Sequence, residues 1–332
     1  MRKTILIVTD NLPEQINGVT TTYKNIEKLA VLDGYNVVVC HPGWFRYFNC
    51  PGYNEVKITY PRSLGKKIEA INPDYIHIAT EGPLGLYARK YCSIRGYRYN
   101  TAYHTKFPEG LKKIFGVPET ITWPLVRWFH KHSGKVLTTT DSMVQQLKSR
   151  GFTGEILSWT RGVDRETFTP HIKKSRDQTV LLCVSRISKE KNLEAFFNLR
   201  FPNSRKIMVG DGPMKTHYEK QYRNVEFVGF KTGKELASYY QQADVFVFPS
   251  RWETFGIVMI ESMACGTPVA AYPCQGPQDV IDEGITGFMN EDLAQAVTSC
   301  LSLGREQVYS GSQRWSWEQA WTIFKTNLVT KC

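Results

Sequence analysis

Two carboxylates, Glu253 and Glu261, stand eight positions apart in the stretch FPSRWETFGIVMIESMACG. An apolar run, Val245 to Phe248, meets a Pro-Ser turn, and Glu253-Thr254-Phe255-Gly256 is then expected to open a helix. The N–H groups from Thr254 through Phe255, Gly256 and Ile257 to Val258 would be the unpartnered donors of its first turn. Together with the helix dipole they would seat a phosphate. Glu253 would repel that phosphate and suits neutral hydroxyls, such as those of a sugar. If the whole span were helical, Glu261 would lie about 12 Å further along the axis. The two acids would then grip different parts of one elongated ligand. The competing reading is one exposed Glu at a helix start and another on a solvated face. Against it, Ile257, Val258, Met259, Ile260, Met263 and Ala264 leave little of the helix polar, and a carboxylate on a mostly buried helix needs a partner.

The Glu, seven residues, Glu spacing inside SRWETFGIVMIESMACGTPVAA closely resembles the donor-site motif of the family 4 retaining glycosyltransferases, which have the GT-B fold. The resemblance runs nearly the length of the chain. It implies that Arg186 and Lys191, in VSRISKEKN, clamp the donor diphosphate. Negative charge builds on the departing oxygen in the transition state, and two cations at a strand end would meet it. By the same resemblance Glu253 holds the sugar hydroxyls and Glu261 the ribose. His104, in TAYHTKF, matches a histidine that reaches the transferred sugar. Gly18 belongs to a glycine loop near donor phosphate and acceptor, where a missing side chain lets backbone approach a ligand. The turn Gly210-Asp211-Gly212-Pro213 resembles one near the nucleotide and reads first as a structural turn. In this family the donor's own diphosphate oxygen deprotonates the incoming hydroxyl on the same face of the sugar, so the resemblance implies retention and no enzymic nucleophile. No persuasive Asp-x-Asp metal motif is present, and cations can replace a metal; no cofactor and no structural metal are expected. The donor is expected to be a nucleotide sugar, a UDP-sugar in preference to a GDP-sugar.

Two runs of alternating strands and helices must position these residues. Lys3 to Thr9 is a β-branched run, followed by a polar loop (Asn11 to Gly18) and a helical pattern through Leu32. Further strands are expected at Asn36 to Cys40, Val56 to Thr59, Tyr75 to Ala79, Arg98 to Tyr103 and Val136 to Thr139. Helices are expected at Pro83 to Arg95, Thr122 to His132 and Ser142 to Arg150. This is an α/β pattern with a mainly parallel sheet. Around Arg161 to Lys174 the pattern lapses into a polar linker. A second alternation begins at Thr179, and Arg314 to Lys331 carries Trp315, Trp317, Trp321, Phe324 and Leu328 at helical spacing. The expected plan is two Rossmann-like domains, 1–164 and 165–313, facing a cleft. By resemblance, the helix 314–332 crosses back onto the first domain.

The chain of 332 residues, 42% hydrophobic and 22% charged, has the make-up of a globular protein with two cores. No apolar run approaches the ~18 residues that span a bilayer, and Asp10 ends the only signal-like stretch. Eight scattered cysteines without a CxxC pair suit a reducing compartment, and cytoplasmic residence is the reading. Of the net charge of +11, residues 1–164 carry +9, with 22 Lys and Arg against 13 Asp and Glu. The first domain is therefore expected to face something acidic.

The segments YIHIATEGPLGLYARK, YHTKFPE and SWTRGVD resemble the lipid-glycosylating branch, including sulfoquinovosyl- and mannosyl-lipid synthases. That likeness puts Thr80, Glu81, Gly82 and Lys106 on the acceptor side. PETITWPLVRWFHKH can be a membrane-lying helix with Trp123, Trp128 and Phe129. A DNA acceptor stands nearly level with the lipid. Between Arg89 and Lys113, basic residues interleave with Tyr91, Tyr97, Tyr99, Tyr103 and Phe107, a pattern that suits phosphate and base stacking. A third reading, from a different class, is a non-catalytic sugar-nucleotide or nucleic-acid-binding protein that kept the fold.

Overall fold

The computed structural model describes residues 2–50, 53–171 and 177–332. The chain divides into two compact units, Met1–Arg161 with Trp317–Cys332, and Gly162–Ser316. The part of the expected linker at 172–176 lies outside the described residues.

In the first unit the strands are β1 (Thr4–Val8), β2 (Asn36–Cys40), β3 (Arg46–Cys50), β4 (Tyr53–Tyr60), β5 (Tyr75–Ile78), β6 (Asn100–Tyr103), β7 (Val136–Thr138) and β8 (Ile156–Ser158). Six of them form one sheet in the order β2-β1-β5-β6-β7-β8, while β3 and β4 pair separately as an antiparallel ribbon. Every pairing in the six-stranded sheet is parallel, with Leu6 opposite Val38 on one side and Ile76 on the other. Alternate residues reach opposite faces of such a sheet; Leu6 and Val8 join one core with Ile76, Leu84 and Phe129. The strand order reverses between β1 and β5, so the loops after these strands open where ligands sit in sheets of this type.

The helix Gly18–Leu32 starts where Asn17 accepts from the N–H groups of Val19 and Thr20, both at 3.0 Å. Along it lies the final helix, Trp317–Thr326. Trp321 Nε1 and Lys325 Nζ donate to Asp33 Oδ2 at 2.9 and 2.7 Å, and Trp159 Nε1 donates to the Ala320 carbonyl at 2.9 Å. The final helix is shorter than the expected 314–332. Trp315 turns instead into the core of the second unit, edge-on to Phe255, and Arg314 donates to the Val280 carbonyl there.

The second unit contains β9 (Thr179–Val184), β10 (Ser204–Val209), β11 (Val225–Gly229), β12 (Val245–Phe248), β13 (Val269–Ala271) and β14 (Gly287–Met289). They run parallel in the order β11-β10-β9-β12-β13-β14. Leu182 and Val184 point to one core, Leu181 and Cys183 to the other. Here the order reverses between β9 and β12. The Arg186 and Lys191 loop and the Glu253 loop leave these two neighbouring strands at their carboxyl ends, which is why residues some sixty positions apart meet.

Candidate active site

Lys191 and Glu253 do meet. Lys191 Nζ donates to Glu253 Oε1 at 2.5 Å, with both side chains about four-fifths buried. Asn192 ties the same loops by donating from Nδ2 to the Pro249 carbonyl at 3.0 Å. Arg186 lies exposed on the β9 loop. Arg251 stacks on Tyr272 at 3.6 Å and donates to Glu291 Oε2 at 2.6 Å, anchoring the Glu253 loop from its other side.

The helix expected to open at Glu253 runs only from Ile257 to Ala264, with Gly256 capping it at a φ of +89°. At Gly256 a side chain would be strained, and its Cβ would approach Phe248 Cζ to 3.2 Å. The segment Glu253 to Phe255 is therefore loop, and the estimate of an all-helical spacing between the acids does not hold. Within that loop Thr254 and Phe255 are buried, the Phe255 ring against Trp315. Glu261 is half-buried and accepts from the fully buried Tyr240 hydroxyl at 3.2 Å. Burial pushes its carboxyl up to about 7, against a smaller downward pull from that hydroxyl.

The turn after β10 is keyed to the Arg186 loop. Ile187 N donates to the Asp211 carbonyl at 2.8 Å, and Met214 N donates to the Ile187 carbonyl at 3.0 Å. Gly210, at a φ of +145°, approaches so closely that a Cβ would sit 1.9 Å from the Ser185 carbonyl oxygen. Its glycine is needed for packing, in line with the structural reading of this turn.

In the first unit, Asp10 follows β1 and is one of the residues to which the sequence reading assigned no part in the site. Thr80 Oγ1 donates to Asp10 Oδ2 at 2.6 Å, and the N–H groups of Leu84 and Gly85 reach its oxygens at 2.7 and 3.4 Å. Burial pushes its carboxyl up to about 6 despite those donors. Asp10 thus caps the helix Pro83–Arg95 from a distant strand. The residues expected to meet an acceptor are largely committed elsewhere. Thr80 holds Asp10, Gly82 packs against it, and Glu81 Oε1 lies 3.3 Å from His130 Nε2. Lys106 is half-buried at the start of the helix Phe107–Phe115. Gly18 is exposed as the first residue of its helix.

His104, which taken alone reads as a surface histidine, is buried. Its Nε2 lies 2.8 Å from the Tyr23 hydroxyl and its Nδ1 2.8 Å from Arg161 Nη2. Burial, with Arg161 as the next cause, holds its pKa well below the ordinary histidine value.

Among the described residues of the basic and aromatic tract from Arg89, several side chains are engaged within the first unit. Tyr99 and Tyr103 are buried, Arg89 donates to the carbonyls of Trp128 and Phe129, and Arg95, Tyr91 and Tyr97 converge on Glu69. The helix Glu119–His130 likewise buries Trp123 and Phe129. It turns outward a different set, Ile121, Leu125 and Trp128, at 63, 47 and 47% exposure. Among the described residues no cluster of His, Cys, Asp or Glu could hold a metal ion, and no helix is long and apolar enough to cross a membrane.

Two sequence families match the chain, "Glycosyltransferase Family 4" over residues 16–167 and "Glycosyl transferases group 1" over 164–308. The chain belongs to the family 4 glycosyltransferases. It is 30% identical over 283 residues to a sulfoquinovosyl transferase from Arabidopsis thaliana, a match covering 78% of this chain and 55% of that one. It is 26% identical to a GDP-mannose-dependent alpha-mannosyltransferase from Corynebacterium glutamicum, over 86% of this chain and 76% of that one. It is 25% identical to an alpha-monoglucosyldiacylglycerol synthase from Acholeplasma laidlawii, over 84 and 83%. A solved sucrose-phosphate synthase from Thermosynechococcus elongatus shares the fold with a TM-score of 0.80, at 18% identity over 98% of each chain. The chain thus has two Rossmann-like domains with parallel sheets, the GT-B plan.

Proposed function

We propose that the enzyme transfers a sugar, with retention, from a nucleotide-diphosphate sugar to the hydroxyl of a diacylglycerol-type lipid at an anionic membrane surface. The bond from the anomeric carbon to the diphosphate breaks, and a bond to the acceptor oxygen forms on the same face. The acceptor proton passes to a diphosphate oxygen, which leaves with the nucleotide. Arg186 and Lys191 meet the charge that grows on that oxygen, and Glu253 orders Lys191 and accepts from sugar hydroxyls. Glu261 accepts from the ribose. No metal is required, because these cations take its place.

The observation that carries the lipid reading is the outward stripe of Ile121, Leu125 and Trp128 beside exposed Arg127 and Lys131. These residues lie on one helix at spacings of four and three, so they form a single apolar line edged by cations, which suits lipid headgroups and the acyl boundary. The ribbon β3–β4 adds Phe48, Val56 and Tyr60, all exposed, on the face that also bears Arg46. The name of the Acholeplasma relative, a diacylglycerol glucoside synthase, points the same way. UDP remains the favoured nucleotide over GDP, and residence is cytoplasmic with peripheral membrane association.

The test is incubation of the enzyme with radiolabelled UDP- and GDP-sugars, in excess chelator, with anionic vesicles containing diacylglycerol or with hydroxymethylated duplex DNA. Label in the lipid extract with the donor's anomeric configuration is expected. Label in DNA alone would replace the lipid by DNA as acceptor. Inverted product would remove the retaining mechanism, and dependence on manganese or magnesium would remove the metal-free one. Nucleotide hydrolysis or binding without transfer to either acceptor would favour a non-catalytic or differently directed protein.

A further inference from the structure

Behind His104 runs a buried chain of polar groups whose direction is fixed by what each group can donate. Arg161 is only a donor. Its Nη2 lies 2.8 Å from His104 Nδ1, so that nitrogen is the acceptor and the ring proton is on Nε2. Nε2–H then faces the Tyr23 hydroxyl at 2.8 Å, and Tyr23 gives its own proton to His77 Nε2 at 2.7 Å. His77 must carry its proton on Nδ1, which is buried with no partner among the described residues. Trp159 packs against Tyr23, His77 and His104 with ring centroids 5.8, 6.2 and 5.7 Å away.

Arg161 is 3% exposed and held by more than the histidine. Its Nη1 donates to the carbonyls of Trp159 and Thr160 at 2.6 and 3.0 Å, and its guanidinium lies 4.6 Å from the Trp159 ring centre. It is the last residue of the first unit before the chain passes into the second. A cation so placed makes a second positive charge on His104 costly.

We propose that Arg161 is a positioning residue for the transfer reaction, locking His104 as a neutral imidazole protonated at Nε2 and removing it from acid–base chemistry. The groups facing His104 are Tyr23 from the first helix, His77 from β5, His130 from the helix Glu119–His130 and Arg161 itself; three of them disfavour its charging together with burial, and Glu81 acts on Tyr23 beyond. The proposal rests on the assignment of His104 to the site. It agrees with a mechanism in which the donor's oxygen, not a side chain, takes the acceptor proton.

The test is long-range proton–nitrogen correlation on enzyme labelled with 15N-histidine, which reports the tautomer and charge of each of the seven histidines without any turnover. His104 is expected to stay neutral and Nε2-protonated from about pH 5.5 to 8, straddling the ordinary histidine range. In Arg161→Met the ring should lose that single tautomer. Its kcat should fall about tenfold to a hundredfold with donor KM little changed, and an acid limb should appear in kcat/KM. Arg161→Lys, which keeps a donor and a charge, should restore part of the rate. A wild-type ring protonated at Nδ1 or titrating in that range overturns the proposal, and so does an unchanged tautomer in Arg161→Met. The wild-type spectrum decides the tautomer even where Arg161→Met does not fold. A locked His104 whose replacement by Ala leaves transfer unaltered would uphold the lock and overturn His104 as a site residue.

Discussion

Lys191 and Glu253 share one hydrogen bond, so each side chain's position depends on the other. Lys191→Gln and Glu253→Gln are each expected to lower kcat/KM about a hundredfold or more. The double variant should be little worse than the poorer single one, because groups that act as a unit are not additive; steady-state kinetics on the four proteins checks this. Glu261 titrates near pH 7, and its ionised form is the better acceptor for ribose hydroxyls. Donor KM should therefore rise as pH falls through about 7, and this slope should vanish in Glu261→Gln. The two acids and Lys191 were conspicuous in the sequence because their spacing and residue types are local signals. Asp10 and Arg161 were not. Their roles arise from Thr80 and His104, 70 and 57 positions away, and Arg161 stands in a polar stretch that reads as linker until its burial is known.

At the scale of elements, strands with unbroken β-branched or apolar runs, such as Asn36–Cys40, and the capped helix Pro83–Arg95 were placed to the residue. The misses have physical causes. The helix Ile257–Ala264 starts late because Gly256 takes a left-handed turn, which side-chain periodicity cannot register. The final helix starts late because Trp315 is captured by another core. The short strands Ile156–Ser158 and Gly287–Met289 offer three residues each, too few for a period to show. The turn at Gly210 is predicted to be the least forgiving connection. Gly210→Ala would drive a methyl group onto the Ser185 carbonyl, costing roughly 2–4 kcal/mol. The urea midpoint should fall and donor KM should rise together, since the displaced loop carries Arg186.

Across the whole molecule, buried ionisable groups pull stability in opposite directions with pH. Folding raises Asp10 from 3.8 to about 6 and Glu261 from 4.5 to about 7. The native state holds those protons more tightly, so this contribution is complete at low pH and is lost as pH rises through the folded values. His77 is lowered from 6.5 to about 3. Only the unfolded chain charges it within that window, so its contribution grows with rising pH. His104, also held well below the ordinary histidine value, acts in the same sense as His77, so two carboxyls and two histidines offset one another and the wild type should show a flat profile between about pH 4.5 and 6, where the windows overlap. Asp10→Asn with Glu261→Gln should convert it into a steady rise, measured as urea midpoints.

The second unit is one uninterrupted stretch, whereas the first is closed by residues that follow it. On the ribosome this sets an order. A nascent chain halted once Ser316 has emerged should already hold a protease-resistant second unit, while Trp159, lacking the Ala320 carbonyl and Phe324, leaves the earlier-made first unit open to cleavage. The half of the enzyme synthesised first is thus the half finished last.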